Sequence, residues 1–186
     1  MLQPLHPWHD ISPGEKIPFE INVIIEVPKD SKLKYELDKE SGLIKLDRPL
    51  YSAVHYPGDY GFVPQTYWDD NDPLDVLVIS NFPVFPRTIV RARPIGLFDM
   101  NDGDEKDDKI IAVHATDPRF NRYQSLKDVP EHMLIEIKNF FETYKELQNK
   151  KVNVWAMLDI DKAHEAIHRS IRLYNEKFPA KPRGSK

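Results

Sequence analysis

The sequence predicts a mixed α+β chain, mainly β: a barrel-like body of short strands followed by two C-terminal helices. Two observations carry this. Short runs rich in β-branched and aromatic residues fill the first two thirds, punctuated by many of the chain's sixteen prolines and seven glycines. From Pro130 onward the apolar residues recur at helical spacing instead of alternating.

The elements follow in order. Ile21–Val27 ("INVIIEV") is the first strand and Leu33–Leu37 ("LKYEL") the second; "DKESG" then turns the chain into Leu43–Leu46, completing a hairpin. Asp75–Ile79, Thr88–Arg93, Ile95–Phe98 and Lys109–His114 continue the pattern. Asp128 and an early Pro130 mark a helix start, and Leu134, Ile137, Phe141 and Tyr144 lie at helical spacing after it. A short strand at Val152–Trp155 precedes a second helix from about Asp161 to Lys177, with Ala163, Ile167, Ile171, Tyr174 and Phe178 on one side. "PAKPRGSK" reads as a frayed tail. Neither linker nor repeat interrupts the 186 residues, so one domain over 1–186 is expected, with its core at about 8–178 and its tail at 179–186.

Composition narrows the function. A net charge of -4 gives no electrostatic reason to expect nucleic acid or an anionic membrane as partner. The absence of cysteine excludes disulfides, thiolate metal sites and cysteine nucleophiles, and favours a reducing compartment. "MLQPLHPWHDISPGE" has no basic region followed by an apolar stretch, so no signal peptide is expected, and no apolar run approaches a membrane span. A cytoplasmic protein is the expectation.

The charge pattern is the informative feature. In "DDNDPLDVLVI", Asp69, Asp70, Asp72 and Asp75 crowd the mouth of an apolar strand. Like charges a few ångströms apart cost roughly 4 kcal/mol per pair at an effective dielectric near 20, so either the carboxylates splay into water or something positive sits between them. Pro73 stiffens the turn, and Asp75 already stands at the edge of the strand. The second acidic run, "DMNDGDEKDDK" from Asp99 to Lys109, would by itself be an ordinary solvated connection between strands. In the first strand, Ile21, Val23, Ile25 and Val27 share one face, and Glu26 lies with Ile24 on the other. Lys34 and Glu36 share a face of the second strand, which on sequence alone reads as solvent-facing.

All-oxygen ligands without a neighbouring histidine or cysteine suit a hard cation, Mg²⁺ or Mn²⁺. Neither acidic run is a calcium loop. Counting from Asp70, Asp75 stands where glycine is required; counting from Asp102, Val113 stands where a bidentate acid is required. Two other readings fare less well. "HEAIH", His164–His168, matches a zinc-protease pattern, but Ile171 occupies the glycine position and Tyr174 that of a third histidine. A nucleic-acid-binding barrel would need stacking platforms in a basic groove; Tyr56, Tyr60, Phe62, Tyr67 and Trp68 supply aromatics, yet their neighbours are acidic.

"DNDPLDVLV" resembles the signature of the family I soluble inorganic pyrophosphatases. "VIIEVPKDSKLKYELDKESGLIKLDR", "HYPGDYGFVPQTY", "RARPIGLF", "DEKDDKIIAV" and "FFETYKELQ" are similar to further blocks of that family, in the same order and at similar spacing. The resemblance runs from about Trp8 to Phe178. It implies a five-stranded OB-like barrel with helices packed outside, and hydrolysis of pyrophosphate to two orthophosphates with several Mg²⁺ ions, for which Mn²⁺ or another divalent ion could substitute. By the same resemblance Asp70, Asp75 and Asp107 match ligands of the activating metals, Asp102 and Asp107 those of a metal arriving with substrate, and Glu26 a further metal position. Asp72 matches the general base. Lys34, Arg48, Tyr60, Tyr144 and Lys145 match phosphate-binding groups, and Glu36, Tyr56 and Lys151 supporting polar positions. The short single-domain length resembles the bacterial and archaeal members, which implies a homohexamer. Gly103 departs from members that carry another acid after Asp102. The chemistry is coherent with the residues: a site of aspartates alone would repel a polyanion, whereas divalent cations between carboxylate and phosphate reverse that sign.

Overall fold

The structure, a computed structural model, describes residues 5–179. Its strands are β1 (Ile21–Val27), β2 (Leu33–Leu37), β3 (Ile44–Pro49), β4 (Asp59–Phe62), β5 (Asp75–Ile79), β6 (Ile89–Asp102), β7 (Glu105–Lys106), β8 (Lys109–His114) and β9 (Val152–Leu158). The helices are α1 (Glu131–Thr143) and α2 (Ile160–Lys177). The order β1-β4-β5-β8-β6 closes on itself through a β1–β6 pairing, giving a five-stranded OB-like barrel. β7 and β9 extend β6 beyond the ring, and β2–β3 form a separate hairpin. All rungs of the ring are antiparallel except β5–β8, a parallel pair that sets Asp75 opposite Lys109.

Period-two alternation divides the barrel's apolar residues between the two helices. Leu77, Ile79, Ile111 and Val113 pack with Leu134, Ile137, Phe140 and Phe141 of α1. Val76, Val78, Ile110 and Ala112 pack with Ala163, Ala166 and Ile167 of α2. β1 departs from the expected single face. Its register shifts between Ile25 and Val27, and Val27 joins the α1 side while Ile21, Val23 and Ile25 remain on the α2 side. A bulge adds one residue and turns the side chains after it over.

Four points of the expected fold need correction. β4 was not among the expected strands; Gly61 within it permits a close crossing, since a Cβ there would lie 1.9 Å from the Ile24 carbonyl oxygen. Thr88–Arg93 and Ile95–Phe98 are one strand, β6, in which Pro94 falls at a register shift rather than at a break. The acidic connection from Asp99 is also partly strand. β6 runs to Asp102, turns through Gly103 at φ 63° and returns as β7. Asp128 does not cap α1; its carboxylate accepts from the Gln124 and Ser125 N–H groups, and Pro130 takes the cap position. The tail expected at 179–186 lies, beyond Pro179, outside the described residues.

One buried charge braces the barrel away from the acidic cavity. Asp59 is fully buried at the head of β4. Its Oδ1 accepts the Lys29 and Val84 N–H groups, each at 2.9 Å, and its Oδ2 accepts the Ser80 hydroxyl at 2.7 Å. Among the described residues, no helix is long and apolar enough to cross a membrane.

Candidate active site

The acidic stretches converge on one cavity of about 600 Å³. β1 contributes Glu26, β2 Lys34 and Glu36, β4 Tyr60, and the turn before β5 Asp70 and Asp72. Asp75 stands at the head of β5 and Lys109 at the head of β8. Asp102 ends β6, Asp107 precedes β8, and Tyr144 with Lys145 follows α1. The positions expected from sequence to be metal ligands, base and phosphate contacts thus line one space, except Arg48.

Local structure aims these groups. Asn71 sits in the left-handed region at φ 68°, which folds the acidic turn back so that the Asp72 N–H reaches Asp70 Oδ1 at 3.1 Å. Arg169 of α2 grips the same turn from outside. It donates to both Asp69 oxygens, at 2.9 and 2.7 Å, and lies 4.5 Å over the Trp68 ring. Asp108 takes the direction opposite to its neighbour: its carboxylate accepts the Met100 N–H at 3.2 Å and pairs with Lys106 at 2.9 Å.

Asp70, Asp75 and Asp107 each place a carboxylate oxygen so that all three lie within 4.8 Å of one another. Among the described residues this is the one His, Cys, Asp or Glu group converging in this way, and "HEAIH" is not part of it. His164 instead packs edge-on to Phe19, with ring centres 5.2 Å apart. Burial, then the Asp75 charge, pushes the Asp70 carboxyl up to about 8. The same two causes push Glu26 up to about 8, although Glu26 Oε1 accepts the Leu37 N–H at 2.6 Å. Three converging oxygen ligands, with burial and the Asp75 charge opposing the ionisation of Asp70, fit a hard divalent cation, which would supply further positive charge.

Sequence reasoning missed one charged group at the centre of this cluster. Lys109 is 2 % exposed, lies 2.5 Å from Asp75 Oδ2, also pairs with Asp107, and stands 5.8 Å from the Tyr60 ring centre. Burial alone would lower its pKa, but Asp107 and Asp75 outweigh it and hold the ammonium charged. The signal was present in "DKIIAV": a lysine leading an apolar strand is as anomalous as Asp75 leading its own, and the parallel register makes the two neighbours. Tyr60 donates its hydroxyl to Asp75, and burial, then Asp75, holds its phenol well above the usual range.

The cations are arranged around the acids. Lys145 pairs with Asp102, and Lys34 pairs with Glu36 and, at 3.3 Å, with Asp47. Three expected positions stand apart. Arg48 pairs with Asp47 beside the cavity rather than lining it. Tyr56 is buried behind Tyr60 and Phe140, with ring centres 5.5 and 4.8 Å away. The Lys151 side chain is exposed away from the lining, and its carbonyl accepts the Gly103 N–H at 3.0 Å. The aromatics that a nucleic-acid groove would need are mostly core: Tyr56, Tyr60, Phe62 and Trp68 are buried.

Comparison with known proteins agrees with this geometry. The family model described as inorganic pyrophosphatase matches residues 23–175. Soluble inorganic pyrophosphatase 3 of Arabidopsis thaliana is 54% identical over 171 residues, covering 92% of this chain and 79% of that protein. The soluble inorganic pyrophosphatase of Zea mays is 54% identical over 169 residues, covering 91% and 79%. The crystal structure of inorganic pyrophosphatase from Thermus thermophilus superposes with a TM-score of 0.86 at 44% identity, covering 89% of this chain and 97% of that one. A match of such length, on a closed barrel whose strand heads gather these acids and cations, makes this chain a member of the inorganic pyrophosphatase family.

Proposed function

We propose that this protein hydrolyses inorganic pyrophosphate to two orthophosphates with divalent cations, Mg²⁺ in the first place, held by Asp70, Asp75, Asp102, Asp107 and Glu26. The observation that carries the reading is the convergence of Asp70, Asp75 and Asp107 in a cavity that also holds Lys34 and Lys145. Bound Mg²⁺ supplies Lewis-acid charge that offsets the polyanion and acidifies water. Asp72, half exposed at the cavity wall, accepts the proton of the attacking water. Lys34 and Lys145 offer point charges to phosphate oxygens, and the Tyr60 and Tyr144 hydroxyls offer donors that burial keeps protonated. Arg48, opposite cavity-lining Lys34 across the β2–β3 hairpin, brings a forked guanidinium to the same phosphates. Glu36 orients Lys34, Tyr56 backs Tyr60, and Lys151 steadies the Gly103 turn. Lys109 keeps the carboxylate cluster from repelling itself apart.

The chain acts as one domain, with its core at about 8–178, in the cytoplasm, and assembles as a homohexamer; a monomer mass by light scattering in Mg²⁺ buffer would overturn that assembly. The deciding experiment is phosphate release from pyrophosphate with and without chelator. Release that requires Mg²⁺ supports the proposal, and full activity in excess chelator rejects the metal.

A further inference from the structure

The carboxylate assigned above as general base stands half exposed at the rim of the cavity, and among the described residues one side chain alone pairs with it. That side chain is Lys39, at the tip of the β2–β3 hairpin. We infer that Lys39 is a positioning residue for Asp72, and that the N-terminal segment His6–Trp8 fixes Lys39 in turn.

Lys39 is held at four points. Its ammonium pairs with Asp72 and donates to the Asn71 carbonyl at 3.2 Å. It lies 6.0 Å from the Trp8 ring centre. Its own carbonyl is 3.1 Å from His6 Nε2. The hairpin tip is rigid as well: the Gly42 N–H bonds back to the Asp38 carbonyl at 2.8 Å, and the Ser41 N–H to Asp38 Oδ2 at 3.0 Å. Behind Lys39, Trp8 is buried and donates its indole N–H to the Thr66 carbonyl at 2.8 Å, so the N-terminal segment and the approach to the acidic turn are one body. Asn71 is held from its other side by the Tyr67 hydroxyl at 2.5 Å. The hairpin, the N-terminal segment and the acidic turn therefore meet at the Lys39 ammonium.

An ion pair this exposed contributes little to stability, because water screens it. Its effect is orientational. A carboxylate at a rim samples several rotamers, and a general base serves only in the one that faces its water; displacement by an ångström can cost a large factor in rate. The pair holds the Asp72 side chain, not the neighbouring metal-binding carboxylates, so kcat is the quantity it governs.

The inference rests on Asp72 being the base, and the test separates the two claims. Lys39→Met, Lys39→Arg, Asp72→Asn and the Lys39→Met/Asp72→Asn double variant are compared with wild type as Mg²⁺-loaded enzyme. The readouts are kcat, KM and, by calorimetry, Mg²⁺ affinity. Lys39→Met should lower kcat by roughly ten- to a hundredfold with KM and Mg²⁺ affinity unchanged, and Lys39→Arg should recover most of the loss. In the Asp72→Asn background the Lys39→Met change should have no further effect, since the group it orients is gone. Losses that multiply in the double variant, or a Lys39→Met effect confined to KM or Mg²⁺ affinity, overturn the positioning role while leaving Asp72 as base. An Asp72→Asn protein that keeps more than about a tenth of the wild-type kcat removes Asp72 as base, and the inference falls with it.

Discussion

Lys109→Met is the sharpest test of how the carboxylate cluster is held together. The lysine is 2 % exposed, and its ammonium lies between Asp75, at 2.5 Å, and Asp107. Methionine keeps much of the stem volume and removes the charge. Without the ammonium, the Asp75 and Asp107 carboxylates that it pairs with are left without their counter-charge. Two such charges within 4.8 Å of one another repel by at least about 3 kcal/mol at an effective dielectric near 20. Removing one partner of a buried pair costs about 3–5 kcal/mol by the same reasoning. For a chain of this size that is a fall in Tm of about 6–20 °C in chelator. A divalent cation binding to the bare carboxylates should recover most of it. Thermal unfolding followed by circular dichroism, in chelator and in Mg²⁺, reads both arms. If Lys109→Met melts within about 2 °C of wild type in chelator, or if Mg²⁺ raises its Tm no more than that of wild type, the account of Lys109 as the cluster's internal counter-ion is wrong.

Three further outcomes are expected. Asp75→Asn should weaken Mg²⁺ binding so that extra Mg²⁺ restores part of the activity, whereas Asp72→Asn should lose roughly 10²–10⁴-fold in kcat with Mg²⁺ binding intact; Mg²⁺ titrations of activity that show the reverse pattern exchange the two roles. Asp70 and Glu26, both pushed up to about 8, must lose protons to become ligands, so Mg²⁺ affinity should rise with pH between about 6 and 9 and binding should release protons near neutrality. Calorimetry in two buffers of different ionisation enthalpy would detect that release, and identical heats would contradict it. Asp59→Ala leaves two backbone N–H groups and the Ser80 hydroxyl without their acceptor and should cost about 3–5 kcal/mol in urea unfolding at pH 7. Burial alone would raise the Asp59 pKa, but nearby His114 together with those three donors brings it below the usual carboxylate value. Its contribution is thus present above the unfolded pKa near ~3.9 and lost as pH falls through the folded one, so the gap between wild type and Asp59→Asn should narrow in that acid range.

Much of this was legible in the chain because two physical signals are local. Short runs of β-branched and aliphatic residues at Ile21–Val27 and Asp75–Ile79, and helical spacing after Pro130, each depend on a few consecutive residues, and all three elements appear where they were expected. The acids at Asp70, Asp72 and Asp75 stood out because charge at a strand mouth conflicts with burial. What escaped was non-local. β4 was not among the expected strands, because the close approach of Ile24, which makes Gly61 necessary, comes from a strand far away in sequence. Lys109 passed as an ordinary strand-leading lysine because its partner Asp75 is defined only by the parallel register. The pairing of Lys39 with Asp72 likewise depends on where a hairpin tip comes to rest.

That parallel register has a consequence for how the protein acquires its chemistry. β6 lies between β5 and β8 in sequence, so their seam joins residues 34 apart, farther than the β4–β5 and β6–β8 seams on either side of it. A slip of one residue along it would put Ile110 where Lys109 belongs, leaving Asp75 without its counter-charge and turning the apolar set of β8 to the wrong side. Ion affinity and correct closure are therefore one measurement. A chain with every strand formed but the seam misaligned would have most of its secondary structure and no working centre, and the return of cation binding during refolding would time the moment at which the ring locks.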